Sequence, residues 1–267
     1  MDIHESTLGV YPCLTAGAGR PLVVLAGLTP EPGVAPGPMR RTHELTVRGW
    51  ARDRTVYYLN RRPGLPSGMT MGALAAEHAQ ALRHGFSEPV DVLGMSTGGS
   101  IAQQLAAEHP DVVRRLALIS TACRLGLDAR RLQRQIAARV RAGAVRQALA
   151  VGAGALAPRS VRLPAAGLGW LFGSCLFSPS GLQDMATTIE AEDAFDLARL
   201  PAVQSPTLLI GGGRDRFYNQ SLFVETANLI SGCTLEIRPR RGHITVLSEP
   251  RAVAQIRGFL NHASPRT

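Results

Sequence analysis

The sequence of 267 residues has few aromatic residues and no concentrated block of charge. Aromatic residues make up 5% of it, and 29 basic residues outnumber 20 acidic ones to give a net charge of +9. Proteins that bind nucleic acids usually gather positive charge on one face and place aromatic side chains within it. We therefore expect no nucleic-acid partner. The scattered arginines indicate either a compositional bias or attraction of an anionic substrate or carrier protein.

The cysteines are few and widely separated. No C-x-x-C pair occurs, so a metal site, a disulfide framework and a cofactor are not expected. The four cysteines are Cys13, Cys123, Cys175 and Cys233.

Long apolar runs are also absent. No run has the length needed to cross a bilayer, and the first six residues have neither a basic start nor an apolar stretch. We expect a cytoplasmic protein without a signal peptide or a membrane span.

A G-x-S-x-G motif lies between a short apolar run and a helical stretch. Val90 to Leu93 has the pattern of a buried strand, and Ser100 to His109 is rich in good helix formers. Glycines 94 and 98 leave room for a sharp strand-to-helix turn that places Ser96 at its apex. The free N–H groups of the following helix would face whatever Ser96 attacks. The pattern predicts a nucleophile elbow, although a glycine-rich turn that happens to carry a serine has the same pattern.

Strand patterns alternate with helical patterns along most of the chain. This alternation predicts an α/β fold with a mostly parallel, doubly wound sheet of about seven to eight strands. The clearest strand patterns cover residues 22–26, 55–59, 90–93, 112–120, 207–211 and 234–237, and residues 8–14 are expected to form a first edge strand. Residues 122–200 lack a strand pattern and are predicted to form a helical insertion. Within it, glycines interrupt the apolar run of residues 163–177, which could be the underside of a lid or a membrane-contacting lip. We therefore expect a core domain of residues 1–121 and 201–267 and a cap or lid of residues 122–200.

Two further polar residues are predicted to lie in loops that follow strands, as Ser96 does. Asp215 ends a Gly-Gly-Gly-Arg-Asp segment, and His243 follows Arg241-Gly242. A serine hydroxyl needs a base to become a nucleophile, histidine suits that task, and a carboxylate orients the imidazole. The order Ser, Asp, His is one that occurs for this geometry. Taken singly, Asp215 could instead be a helix N-cap and His243 a surface histidine.

Together the elbow, the Gly-Gly-Gly-Arg-Asp segment and the Arg-Gly-His segment resemble the α/β-hydrolase superfamily. The resemblance extends from Leu22 to the last helix and implies a helical cap inserted after the sixth strand. It also implies that Ser96 is the nucleophile, Asp215 the acid and His243 the base. The backbone N–H groups of Thr97 and Leu28 would then form the oxyanion hole.

Two segments depart from the usual pattern of that superfamily. Many members have His-Gly at the place of Ala26-Gly27, and many have Asp-x-Arg-Gly-x-Gly where this chain has Leu59-Asn-Arg-Arg-Pro-Gly64. A backbone donor at Leu28 survives the first difference. The serine at the elbow separates this chain from the haloalkane dehalogenase and epoxide hydrolase branches, which use aspartate there.

These observations predict a serine hydrolase that cleaves a small to medium ester, lactone or thioester with an apolar acyl part. We expect Met95, Trp170, Phe172 and Phe177 to line the substrate pocket, the last three from the underside of the lid. A carrier-protein-linked or CoA-linked substrate and the oligomeric state stay open. The same three residues could also serve a C–C bond hydrolase, an acyltransferase or a cyclase. A ligand-binding member of the fold without turnover is the alternative outside enzymes.

Overall fold

The computed structural model describes residues 2–157 and 159–262. Within these residues, eight strands form one open sheet. The strands are β1 (Ile3–Leu8), β2 (Tyr11–Ala16), β3 (Arg20–Leu25), β4 (Arg54–Leu59), β5 (Val90–Met95), β6 (Val113–Ile119), β7 (Thr207–Gly212) and β8 (Thr234–Arg238).

The sheet has the strand order β1-β2-β4-β3-β5-β6-β7-β8. Strand β2 runs antiparallel to both of its neighbours, β1 and β4, and β3 to β8 are parallel to one another. The predicted mostly parallel sheet is thereby confirmed. The carboxyl ends of β3 to β8 share one edge, which is where open α/β sheets bind ligands.

The amino-terminal strand prediction was wrong in one respect. We expected a single edge strand over residues 8–14, whereas the chain forms a hairpin of β1 and β2. The turn depends on Gly9, whose φ of 58° lies in the left-handed region that glycine adopts without steric cost.

Helices cover both faces of the sheet. They are α1 (Gly37–Trp50), α2 (Met71–Gly85), α3 (Thr97–Glu108), α4 (Leu127–Arg141), α5 (Val145–Leu156), α6 (Arg162–Leu176), α7 (Pro179–Asp193), α8 (Gln220–Leu229), α9 (His243–Leu247) and α10 (Pro250–Asn261).

Two apolar cores lie on opposite faces of the sheet because successive side chains of a strand point in opposite directions. In β3, Val23 packs with the core beneath α2, α3 and α8, whereas Leu22 and Val24 pack with the core beneath α1 and α10. These strands are apolar on both sides, as expected of a parallel sheet that is covered on both faces.

The segment between β6 and β7 carries α4 to α7, as the predicted helical insertion after the sixth strand requires. We call these four helices the cap. Most of the cap has an apolar core of its own, here called the cap core: Ile136, Ala137, Val140, Ala148, Leu149, Leu182, Met185, Ala186 and Ile189. The glycine-interrupted run from residue 163 to 177 forms the regular helix α6. Its glycines have a packing reason, since Cβ atoms on Gly169 or Gly173 would press against Leu149 of α5.

Within the described ranges, no helix combines the length and the apolar character needed to span a membrane.

Candidate active site

Ser96 stands at the turn between β5 and α3 with a backbone conformation that is rare for a side-chain-bearing residue. Its φ is 51° and its ψ is −124°, a region whose occupation costs on the order of 1–3 kcal/mol. The surroundings enforce it. The Ser96 N–H donates to the carbonyl oxygen of Ile119 at 3.1 Å, and a Cβ on Gly98 would collide with the carbonyl oxygens of Leu25 and Ala26. The structure therefore holds this turn in the geometry of a nucleophile elbow.

A continuous chain of hydrogen bonds joins Ser96, His243 and Asp215. Ser96 Oγ lies 2.9 Å from His243 Nε2, and His243 Nδ1 lies 2.8 Å from Asp215 Oδ2. The side chain of Asp215 is fully buried and that of His243 is 10% exposed. One detail of the prediction was wrong, because His243 is the first residue of the short helix α9 and does not lie in a loop.

Asp215 serves the local turn as well as the histidine. Its second oxygen, Oδ1, accepts the backbone N–H groups of Phe217 at 2.7 Å and Tyr218 at 3.1 Å. The next helix, α8, has its own N-cap, since the Asn219 side chain accepts from the backbone N–H of Leu222. Asp215 is therefore a turn residue and not the helix N-cap, and its role in the turn is compatible with a triad role because each role uses a different oxygen.

The imidazole of His243 is held from several sides. Ser120 Oγ donates to the carbonyl oxygen of His243 at 2.7 Å, and Ser120 itself has a positive φ of 53°. The rings of Phe217 and Tyr218 lie against the imidazole with centroid distances of 4.6 and 5.8 Å. These contacts restrict the ring to an orientation in which Nε2 faces Ser96.

The two residues predicted for the oxyanion hole flank Ser96. Thr97 is the buried first residue of α3. Leu28 lies in the loop after β3, and its side chain packs against the cap core. That loop passes close to the nucleophile, since a Cβ placed on Gly27 would be 3.2 Å from Ser96 Cβ. The absence of a side chain at Gly27 leaves this space open beside Ser96.

The loop that carries Leu28 is tied to the cap. Glu31 accepts from the Ser178 backbone N–H and, at 2.9 Å, from the Ser178 hydroxyl at the start of α7. Arg61 donates to the carbonyl oxygens of Pro30 at 3.0 Å and Gly181 at 3.1 Å. Burial lowers the pKa of Arg61 to about 10, so it stays charged at neutral pH. The segment that departs from the usual superfamily pattern thus orders the loop beside the nucleophile.

The predicted pocket residues lie in different environments. Met95 is buried at the end of β5, and Phe177 packs against the cap core. Trp170 and Phe172 on α6 are 43% and 55% exposed, and the Arg146 guanidinium lies 5.1 Å from the centre of the Trp170 ring. Their role as a pocket lining stays a prediction.

Among residues 2–157 and 159–262, no group of three or more His, Cys, Asp or Glu side chains is arranged to hold a metal ion.

Comparison with known proteins places the chain in a family. The family model described as "Alpha/beta hydrolase family" matches residues 51–256, which is most of the sequence. The chain belongs to the alpha/beta hydrolase family. The superfamily resemblance carried by the elbow and by the Asp and His segments is thereby confirmed.

Curated relatives of this hydrolase include esterases. A pimeloyl-[acyl-carrier protein] methyl ester esterase of Neisseria meningitidis serogroup A is 27% identical over 257 residues, covering 83% of this chain and 78% of the relative. An esterase of the same name from Chromobacterium violaceum is 48% identical over a shorter stretch of 50 residues, 19% of this chain and 20% of the relative.

Solved structures agree with the fold over nearly the full length. A hydrolase from Pseudomonas aeruginosa PA01 superimposes with a TM-score of 0.73 at 22% identity, covering 98% of this chain and 99% of that one. The enol-lactonase from Burkholderia xenovorans LB400 gives a TM-score of 0.71 at 21% identity, covering 97% of this chain and 96% of that one. The solved structures thus share the fold, and the predicted hydrolase is confirmed by the family match.

Several residues around the site of this hydrolase were not predicted from the sequence. Ser120, Tyr218 and Glu192 contact the elbow or the histidine but belong to no motif. Glu192 lies near the end of cap helix α7 and is fully buried. The sequence around Glu192 does not predict a site residue, because Glu190 and Asp193 are acidic residues of the same helix. Only the neighbours of Glu192 in space distinguish it from them.

Proposed function

We propose that this hydrolase cleaves a carboxylic ester with an apolar acyl part through an acyl-enzyme on Ser96. The observation that carries the proposal is the continuous chain of hydrogen bonds from Ser96 Oγ through His243 to Asp215. Nucleophile, base and orienting carboxylate lie within hydrogen-bond reach of one another, which is the geometric requirement for this chemistry.

The reaction proceeds in two halves. His243 Nε2 takes the proton of Ser96 Oγ as that oxygen attacks the carbonyl carbon. The resulting oxyanion is bound by the N–H groups of Thr97 and Leu28, and preorganised donors of this kind supply a large share of the rate enhancement. His243 then returns the proton to the leaving alcohol oxygen, which departs and leaves the acyl group on Ser96. In the second half, water attacks the acyl carbon with His243 as base, and the acid and free Ser96 are released.

Asp215 acts on the histidine alone. As a carboxylate it accepts a hydrogen bond from Nδ1–H, so the proton-free nitrogen is Nε2, which faces Ser96. The buried carboxylate also stabilises the imidazolium that forms when Nε2 takes the proton. The N–H groups of Phe217 and Tyr218 hold its other oxygen and prevent the carboxylate from turning away.

We propose further that the acyl group is presented on a carrier protein. Two observations support this. Residues 129–183 of the cap contain arginines and no aspartate or glutamate. Arg130, Arg134 and Arg141 pair with Asp193 or Glu190 of α7, but arginines remain in excess in this part of the cap, which suits an anionic partner. The curated relatives are named for an acyl-carrier-protein-linked methyl ester. A CoA-linked substrate shares the anionic character. C–C hydrolysis would use the same residues with a carbon leaving group, and acyl transfer or cyclisation would use them with an acceptor other than water.

A fluorophosphonate probe tests the proposed reaction without knowledge of the natural substrate. We expect a single covalent adduct on Ser96 in the folded protein and none after denaturation, because an isolated serine is a weak nucleophile. Peptide mass spectrometry locates the adduct. Methyl and p-nitrophenyl esters of graded chain length, offered free and on an acyl carrier protein, then identify the preferred acyl form. Absence of labelling in the folded protein, or an adduct on another residue, would contradict the proposal.

The cap is expected to set the preferred acyl length. Trp170→Ala and Phe172→Ala should shift the chain-length profile, because each methylene in an apolar pocket contributes about 1–3 kcal/mol of discrimination. The measurement is kcat/KM across esters of increasing length. Leu45→Ala is the matched control, since Leu45 is an exposed apolar residue of α1, outside the cap. Unchanged profiles for both aromatic variants would remove these residues from the pocket.

A further inference from the structure

A buried carboxyl group from the cap contacts the first turn of α3, directly after the nucleophile. Glu192 of α7 has no exposed surface, and its carboxylate accepts hydrogen bonds from four neutral donors. These donors are the hydroxyl groups of Thr97 at 2.8 Å, Ser100 at 2.9 Å and Tyr218 at 3.2 Å, and the amide of Gln133 at 3.4 Å. The donors come from α3, from the loop after β7 and from α4, so a single side chain joins the cap to two parts of the core.

The placement is energetically demanding. Burial of a carboxylate away from cations costs several kcal/mol unless hydrogen bonds replace its hydration. Burial raises the pKa of Glu192, and its four hydrogen bonds act in the opposite direction. An apolar side chain of similar volume is often at least as stabilising at such a position. The carboxylate therefore suits a function that an apolar contact would not perform.

One pair of hydrogen bonds holds the nucleophile turn. Ser96 occupies the N-cap position of α3 but makes no side-chain cap bond, because its Oγ faces His243. Glu192 instead binds the hydroxyl groups of Thr97 and Ser100 in the first turn of that helix. Its negative charge is also favourable at a helix N-terminus. Thr97, whose N–H is a proposed oxyanion donor, is thereby held in place by the cap.

The third hydrogen bond leads to the histidine. The Tyr218 hydroxyl donates to Glu192 Oε1, and the backbone N–H of Tyr218 donates to Asp215 Oδ1. The Tyr218 ring lies nearly parallel to the imidazole of His243, with 27° between the planes. A change at Glu192 therefore reaches both the acid and the base of the triad through one residue, Tyr218.

We propose that Glu192 is a positioning residue of the active site, which couples the cap to the nucleophile turn and to His243. The inference rests on the proposed role of Ser96. Protonation of Glu192 turns one carboxylate oxygen into an O–H donor. At least one of the four groups that donate to the carboxylate must then rotate or lose its hydrogen bond. The coupled arrangement is thus complete only while Glu192 is ionised.

The pH dependence follows from the groups around the carboxyl. The titratable groups facing this cluster are Tyr218 and Asp215 from the loop after β7 and His243 from α9, whereas α3 and α4 contribute the neutral Thr97, Ser100 and Gln133. Because burial raises the pKa of Glu192, its proton is taken up at a higher pH than that of an ordinary glutamate. The ionisation of Glu192 should therefore contribute to the fall in the rate of Ser96 modification on acidification, at a higher pH than an ordinary glutamate would.

Glu192→Gln tests the proposal, with Glu190→Gln as the matched control on the exposed side of the same helix. We expect Glu192→Gln to lower kcat for a p-nitrophenyl ester and the rate of fluorophosphonate labelling by on the order of 10- to 100-fold, the size of a small misplacement of reacting groups. KM should change little. The acid limb of the labelling rate should lose the contribution of Glu192. Glu190→Gln should match the wild type in all of these measurements.

Tyr218→Phe provides a second variant that keeps the ring and removes only one hydroxyl. It should lower the labelling rate and alter the acid limb in the same direction, and the double variant should be less impaired than the product of the two single effects, since the two residues act through one contact. Wild-type rates and pH profiles in Glu192→Gln, or in Tyr218→Phe where Glu192→Gln does not fold, would overturn the proposal. A lower melting temperature with an unchanged pH profile would overturn it as well. Failure of the wild-type protein to label at Ser96 would instead refute the proposed reaction.

Discussion

Ser96→Ala is expected to lower kcat/KM for any ester substrate by about 10⁴- to 10⁶-fold, because the members of a triad cannot replace one another. The free energy of unfolding should change by less than about 1 kcal/mol, since only a hydroxyl at a half-buried turn is removed. The backbone strain at this position is the same for alanine as for serine. Steady-state kinetics and urea unfolding of the same preparation measure both quantities.

The controls for Ser96→Ala separate a lost nucleophile from a general effect. His243→Ala should reduce the rate by a similar factor, and the Ser96→Ala/His243→Ala double variant should be scarcely slower than either single variant. Ser87→Ala, which removes the hydroxyl of an exposed serine, should leave activity unchanged. A Ser96→Ala protein that turns over esters at near the wild-type rate would end the acyl-enzyme proposal.

Asp215→Asn is expected to lower kcat by about 10⁴-fold through the wrong histidine tautomer. An asparagine that keeps its carbonyl oxygen toward the N–H groups of Phe217 and Tyr218 must present its NH₂ group to His243 Nδ1. His243 Nδ1 must then accept a hydrogen bond from the asparagine, so the imidazole proton lies on Nε2. A protonated Nε2 cannot accept the proton of Ser96. The kcat and the free energy of unfolding are measured on this one variant.

The alternative role of Asp215 as a turn residue makes a different prediction for the same variant. If the carboxylate served only the backbone N–H groups, the loss would be about 1 kcal/mol of stability or less, with the rate unchanged. Asp111→Asn is the control, because Asp111 is an exposed carboxylate that pairs with Arg83 at the surface. A normal kcat in Asp215→Asn would exclude the triad role.

Much of the architecture was predictable because it depends on local patterns. Buried parallel strands such as β3 and β7 appear in the sequence as short β-branched or apolar runs, and the alternation of strands with helices leaves few arrangements other than a doubly wound sheet. The elbow was recognisable because glycines at fixed offsets around Ser96 are needed for a close strand-to-helix turn. Asp215 and His243 were found because each follows a strand whose carboxyl end must lie at the same sheet edge.

The local signals failed where one residue determined a turn or where a helix was short. Gly9 converts the expected single edge strand into a hairpin, and a lone glycine in a mostly apolar stretch does not by itself predict a left-handed turn. His243 begins a helix of only five residues, which is too short for a periodic pattern. The glycines of α6 suggested an interrupted segment, whereas they allow that helix to pack closely on α5.

The sequence by itself thus determined the sheet, the order of the three polar residues and the place of the cap, because each depends on neighbours along the chain. Only the tertiary structure decided what surrounds those residues. Glu192 meets Thr97 across 95 positions of sequence, and Ser120 meets His243 across 123. Contacts of this kind depend on how separate elements pack and on which buried polar groups find partners, and no local spacing encodes either.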